Sequence, residues 1–106
     1  MIKVFLTNKN KTYDAVGVYD PVSNTLTIKK GSRVSSDIAY SAKFRGARTI
    51  ECFRKEHTDD NQIVKKDVMF NSPSTAANFV TGRSTNGLIV WKDESKKTLK
   101  EIMELY

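Results

Sequence analysis

The sequence predicts an α+β fold: an antiparallel β-meander followed by helices packed on the sheet, in one compact domain spanning residues 1–106. Three observations lead there. Apolar and polar residues alternate with a period of two from Ile2 to Lys29, with turn residues between the runs. The last third carries two stretches with helical spacing and capping residues at their ends. A chain of 106 residues with 39% hydrophobic residues supplies one core rather than two.

Ile2, Val4 and Leu6 alternate with Lys3, Phe5 and Thr7, giving a first strand. Asn8 to Lys11 is a polar turn. In the second strand, Tyr13 to Tyr19, one face holds Tyr13, Ala15, Gly17 and Tyr19 and the other Val16 and Val18. Gly17 marks either a bulge or a close approach. Asp20-Pro21-Val22-Ser23-Asn24 is a turn in which proline presets φ and Asp20 and Asn24 cap the chain. Thr25 to Lys29 forms a third strand, ended by Lys30-Gly31-Ser32. Arg33 to Gly46 keeps no clean period. From Ala47 to His57 a helix is expected, with Ala47, Ile50 and Phe53 inward and Arg48, Glu51, Arg54 and Lys55 toward water. Gln62 to Phe70 holds two apolar pieces, Ile63-Val64 and Val68-Met69-Phe70, joined either as a hairpin or as one bent strand.

Ser72-Pro73 is a strong helix start, because Ser caps and Pro fits the first helical position. Ala76, Ala77, Phe79 and Val80 form its buried stripe, and Gly82 supplies the left-handed stop. Asn86-Gly87 reads as a turn needing positive φ, and Leu88 to Trp91 as a short strand. Trp91 and Phe79 are expected in the core. The last helix, near 98–105, has capping-box spacing at Thr98 and Glu101. Its apolar stripe is Leu99, Ile102, Met103 and Tyr106.

The formal net charge is +6 and unevenly placed. Between Lys29 and Lys55 stand Lys29, Lys30, Arg33, Lys43, Arg45, Arg48, Arg54 and Lys55, opposed only by Asp37 and Glu51. The remainder of the chain balances to zero. Such asymmetry favours a polyanionic partner, with a solvated surface as the plain alternative.

Catalytic chemistry is hard to find. The only cysteine and the only histidine, Cys52 and His57, are five apart on the expected helix and point in different directions. Cys52 reads as a small core or boundary residue and His57 as a polar residue at the helix end. Two such residues cannot complete a zinc site, and no glycine-rich phosphate motif is present. A non-enzyme without metal or cofactor is therefore expected. The sequence contains no stretch suited to spanning a membrane and no secretory leader pattern, so the cytoplasm is the default compartment.

From Phe70 onward the sequence is distinctive: Phe70-Asn71-Ser72-Pro73-Ser74-Thr75-Ala76-Ala77, Gly82-Arg83-Ser84, Asn86-Gly87, Trp91-Lys92 and Thr98-Leu99. It resembles the bacterial family called domain of unknown function 4357. The first half fits more loosely, through Ala15, Gly17, Lys30-Gly31-Ser32 and Arg48. Leu88 stands where members often carry an aromatic residue. The resemblance implies association with DNA processing: such domains occur beside GIY-YIG nucleases and in restriction–modification proteins, and are similar to the RAMA domain, for which DNA or modified-base binding has been proposed. This chain carries no nuclease or methylase segment and reads as a stand-alone version.

A DNA- or other nucleic-acid-binding accessory module is thus the leading expectation. Lys29, Lys30, Arg33, Lys43, Arg45 and Arg48 would contact phosphates, and Arg83, Ser84 and Asn86 would contact bases. A protein–protein interaction module regulating a restriction or mobile-element enzyme is the alternative.

Overall fold

The computed structural model describes residues 1–38 and 47–104. The expected meander forms from β1 (Ile2–Thr7), β2 (Asp14–Asp20) and β3 (Thr25–Ile28). A further strand, β4 (Val68–Phe70), pairs antiparallel with β3, giving the order β1-β2-β3-β4. Only Val68-Met69-Phe70 of the two apolar pieces joins the sheet. Ile63 and Val64 make isolated bridges instead.

The side-chain alternation of each strand divides the sheet into two faces. Val4, Leu6, Ala15, Tyr19, Leu26, Ile28, Val68 and Phe70 are buried against the helices. Gly17 lies in the continuous ladder, opposite Val4 on one side and Ile28 on the other, so it is a close approach and not a bulge. A Cβ there would stand 2.8 Å from Leu26 Cδ2 and 3.4 Å from Trp91 Cζ3. In the β2–β3 turn, Asp20 accepts from the Val22 amide at 3.0 Å, and Asn24 takes a φ of 57°. The fully buried Tyr19 donates its hydroxyl to Asn24 Oδ1 at 2.7 Å.

The opposite face points outward. The register aligns Lys3, Val18, Thr27 and Met69 across the strands. The next row runs Lys92, Phe5, Val16 and Lys29, because Lys92 bridges Phe5 and the Lys29 amide donates to Val16 O. These side chains are exposed or half-buried.

Helix α1 (Ala47–His57) has the expected bounds, but its inward stripe differs from the expectation. Ala47, Ile50 and Arg54 are buried, whereas Phe53 is 36% exposed. Arg54 is tolerated inside because its guanidinium meets the C-terminal carbonyls of the next helix, as detailed below. Phe53 lies at the stripe's margin, stacked on His57 and tilted against Phe70, each with centroids 5.8 Å apart. Cys52 is exposed, not a core or boundary residue: it is two residues beyond Ile50 and so on the opposite side of the helix.

Helix α2 (Pro73–Thr81) matches its sequence signals. Ser72 Oγ accepts from the Thr75 amide at 3.1 Å, Pro73 opens the helix, and Gly82 closes it at a φ of 72°. Ala76, Ala77, Phe79 and Val80 are fully buried.

The Leu88–Trp91 strand is not formed. Residues Gly87–Val90 make a one-turn helix, α3, capped by Asn86, whose side chain accepts from the Leu88 amide at 3.0 Å. Nor does the Asn86-Gly87 turn use positive φ: Asn86 has φ −83°, and Gly87 is absent from the left-handed residues. The glycine is needed for a different reason, since a Cβ on it would overlap the backbone of Pro73 and Ser74. Helix α4 (Leu99–Glu104) follows, with Thr98 and Glu101 forming the expected capping box. Leu99 and Ile102 are buried and Met103 is 38% exposed; Tyr106 lies outside the described residues.

Trp91 is fully buried, as the sequence predicts, and donates Nε1–H to Pro73 O at 3.0 Å.

Candidate nucleic-acid interface

The chain following β3 folds back on the chain preceding β4. Ile28 pairs with Val68, and Arg33 bridges Ile63. Between them the Gly31 amide donates to Val64 O at 2.9 Å and the Val64 amide to Ser32 O at 2.8 Å. Lys29 and Lys30 are thereby carried beside Lys65 and Lys66. Lys29 to Ser32 form a turn, closed by the Ser32 amide donating to Lys29 O at 3.2 Å. The Lys65 amide donates to His57 O at 2.8 Å, and Lys65 and Lys66 line a cleft with Glu56 and His57. Lys30, Lys65 and Lys66 are exposed.

Asp67 anchors this corner. Its carboxylate accepts from Lys29 Nζ at 2.7 Å and from the Lys30 amide at 2.8 Å. These bonds, the lysine's first, hold its carboxyl below the usual carboxylate range. Lys29 is therefore engaged in an ion pair that is roughly half exposed, while Lys30, Lys65 and Lys66 make no ion pair among the described residues. Lys65 and Lys66 were not among the sequence candidates. The Lys-Lys pair itself was legible, but it lies where the charge balances along the chain, and only the pairing brings it next to Lys29.

The other candidates are placed as follows. Arg33 is exposed on the segment that bridges Asp14 and Ile63. Arg48 is exposed on the first turn of α1, outside that pairing. Lys43 and Arg45 lie outside the described residues. Arg83 is exposed and borders a polar cleft of about 400 Å³, together with Asn8, Tyr13, Asp37 and the hydroxyls of Ser35, Thr81 and Thr85. Ser84 and Asn86 are also exposed, but neither lines that cleft. Asn86 spends its side-chain oxygen on capping α3. The loop that carries them is stiffened from below: the Thr85 amide donates to Asn78 Oδ1 at 2.8 Å and the Arg83 amide to Thr81 Oγ1 at 3.2 Å.

Arg54, expected in water, is an architectural cation. Its Nε donates to Phe79 O at 3.0 Å and one terminal nitrogen to Val80 O at 3.2 Å. It also reaches Ser35 O at 2.8 Å and Ser35 Oγ at 3.0 Å. The C-terminal end of α2, where carbonyls lack helical partners and the dipole is negative, thus receives a planar five-donor group.

A sequence model of the family described as Domain of unknown function (DUF4357) matches residues 5–103. The chain belongs to the DUF4357 family. No curated protein and no solved structure matches it. The DUF4357 match takes in the sheet from Phe5 onward, and so most of the first half that the motif resemblance fitted only loosely. In this DUF4357 chain the quoted motif residues have architectural roles. Ser72 caps α2, Ser74 Oγ accepts from the Gly87 amide at 3.0 Å, Pro73 O receives Trp91, and Gly82 stops the helix. Among the described residues, no group of three or more His, Cys, Asp or Glu side chains is arranged to hold a metal ion. Among the described residues, no helix is long and apolar enough to cross a membrane.

Proposed function

We propose that this DUF4357 chain is a non-catalytic module that binds the phosphate backbone of nucleic acid at the Lys29-Lys30 and Lys65-Lys66 corner. It would serve as an accessory to DNA-processing or restriction–modification systems. The observation that carries the reading is the backbone bonding of Gly31 and Ser32 to Val64, beside the Ile28–Val68 pair, which brings Lys29-Lys30 and Lys65-Lys66 to one corner. There Asp67 is bound to Lys29, and Glu56 lines a cleft with Lys65 and Lys66. Like charges gathered at one corner of the surface repel one another. A polyanion relieves that repulsion and gains affinity from the counterions it releases. Arg33, on the same segment, extends the basic surface.

A salt titration tests this with duplex and single-stranded oligonucleotides. If about four cations meet phosphates, log K falls against log salt with a slope near −3.6 on duplex, about 0.9 per phosphate. The exposed triple variant Lys30→Glu, Lys65→Glu, Lys66→Glu should lose binding to every sequence alike while keeping its melting temperature. No binding to either oligonucleotide at about 50 mM salt would remove the reading. That result would promote a protein partner, for which the exposed apolar residues Leu88, Ile89 and Met103, 38%, 52% and 38% accessible, supply the specific surface.

A further inference from the structure

The outward face of the sheet has an aromatic ring at its first strand. Phe5 is half-buried, and Lys3 Nζ lies 5.5 Å from its ring centroid. A strongly hydrated ammonium over the ring means that this ring face opens to solvent rather than to packed side chains. Phe5 also floors a cleft of about 550 Å³ with Val90 behind it and Lys92 and Lys96 at its rim. Of the two carboxylates bordering the cleft, Asp93 is turned to its own turn, accepting from the Ser95 amide at 2.9 Å and the Lys97 amide at 3.0 Å. Two lysines therefore line the cleft beside the ring and a third, Lys3, lies over the ring outside that lining, with Glu94 the remaining acid of the cleft.

The pairing also gives this ring a direction. Lys92, Phe5, Val16 and Lys29 form one row across the sheet. With strands about 4.8 Å apart, the row spans roughly 14 Å and ends at the lysine corner described above. An aromatic flanked by cations, on an open sheet leading to a basic end, has the chemistry of a single-strand platform. The ring stacks on any base, and the lysines neutralise the backbone on either side.

We propose that Phe5 is a base-stacking residue and that a single-stranded nucleic acid crosses the open sheet face. One base would enter the Phe5–Val90 cleft, with its flanking phosphates on Lys3, Lys92 and Lys96. Lys3, which lies over the ring but does not line the cleft, is within reach of a flanking phosphate. This inference rests on the nucleic-acid reading and adds to it a second contact region and a preference for single strands over duplex, whose bases have no free face.

Phe5→Leu keeps an apolar side chain in the sheet but removes the ring. It should weaken binding of a mixed-sequence single-stranded oligonucleotide about tenfold, in the range of stacking losses on alanine substitution, and leave duplex affinity within about twofold. Phe5→Trp should retain affinity, and its fluorescence should be quenched when the single strand is added; the native protein's Trp91 is buried and serves as the control. If Phe5→Leu binds single strands as well as the native chain does, or if Phe5→Trp binds them without quenching, the platform is overturned. If in the same experiment the lysine-corner variant still abolishes binding, the corner reading stands and this inference alone falls. If no oligonucleotide of either form binds the native protein, both fall together.

Discussion

Arg54 shows how residue type misleads when position is the better guide. Ala47, Ile50 and Arg54 are spaced i, i+3 and i+7, the repeat of a buried helical face. Charge alone assigns Arg54 to water and Phe53 to the core, and the structure reverses both, with Arg54 8% exposed and Phe53 36%. The reason lies in the end of another helix: the carbonyls of residues 79 and 80, which lack helical partners, accept from a guanidinium that reaches them from α1, Val80 O sharing it with the Ser35 amide. No local pattern in residues 47–57 records that. Arg54→Ala should destabilise the fold by about 3–5 kcal/mol, because it strands buried carbonyls. Arg54→Lys should recover only part of the loss, since an ammonium lacks the fork that meets several acceptors in a plane. Urea unfolding of the three proteins checks this; an unchanged midpoint for Arg54→Ala would show that the guanidinium contributes nothing. Trp91 and Phe79 were legible at the same scale, because large apolar residues on clear stripes have few other places to go.

At the scale of elements, the strands and the capped helices followed directly from local chemistry. The bounds of α1 and α2 agree with expectation because their stripes are clear and because Ser72, Pro73 and Gly82 each supply what a helix end lacks. The failure at residues 88–91 is equally physical. Leu-Ile-Val-Trp has the β-branched and aromatic content of a strand, and a run of four carries no period to arbitrate. Its conformation is decided from outside: Asn86 caps it, Ser74 holds the Gly87 amide, and Trp91 is pinned to Pro73. Gly87 and Gly31 separate two uses of glycine. Gly87→Ala places a methyl inside the Pro73–Ser74 backbone, an overpacking cost of about 1–3 kcal/mol or more that also displaces α3 from α2. At Gly31, with φ +90° and nothing within 4 Å of an added Cβ, alanine costs only the backbone strain, about 1 kcal/mol. Thermal melts should therefore rank Gly87→Ala well below Gly31→Ala; the reverse order would mean that the α2–α3 contact yields easily.

For the whole molecule, charge counted along the chain and charge counted in space give different maps. The window from residue 29 to 55 holds the net excess, yet Arg54 within it is buried, Arg48 stands on α1, and Lys65 and Lys66 from a balanced region complete the corner. Strand pairing at a separation of more than thirty residues made that corner, which is why composition showed that the chain is basic but not where. Asp67 is the carboxylate that binds Lys29 there, while Glu56 lines a cleft with Lys65 and Lys66, so Asp67 decides whether Lys29 is available. Its lowered pKa, caused first by the Lys29 hydrogen bond and then by the Lys30 amide, means that the pair stabilises the fold at neutral pH. That contribution is lost as the pH falls through the folded-state value, below the ordinary carboxylate range. Protonation also releases Lys29, as would Asp67→Asn at any pH. If the corner binds nucleic acid, Asp67→Asn should bind duplex more tightly than the native protein and steepen the salt slope by about 0.9, one additional phosphate neutralised. It should also abolish any tightening of native binding on acidification through the Asp67 transition, because the variant has no carboxyl to protonate. Parallel salt titrations of the two proteins at neutral pH measure the slope difference directly. Equal slopes would mean that Lys29 does not reach a phosphate, leaving Lys30, Lys65 and Lys66 as the contacts at this corner.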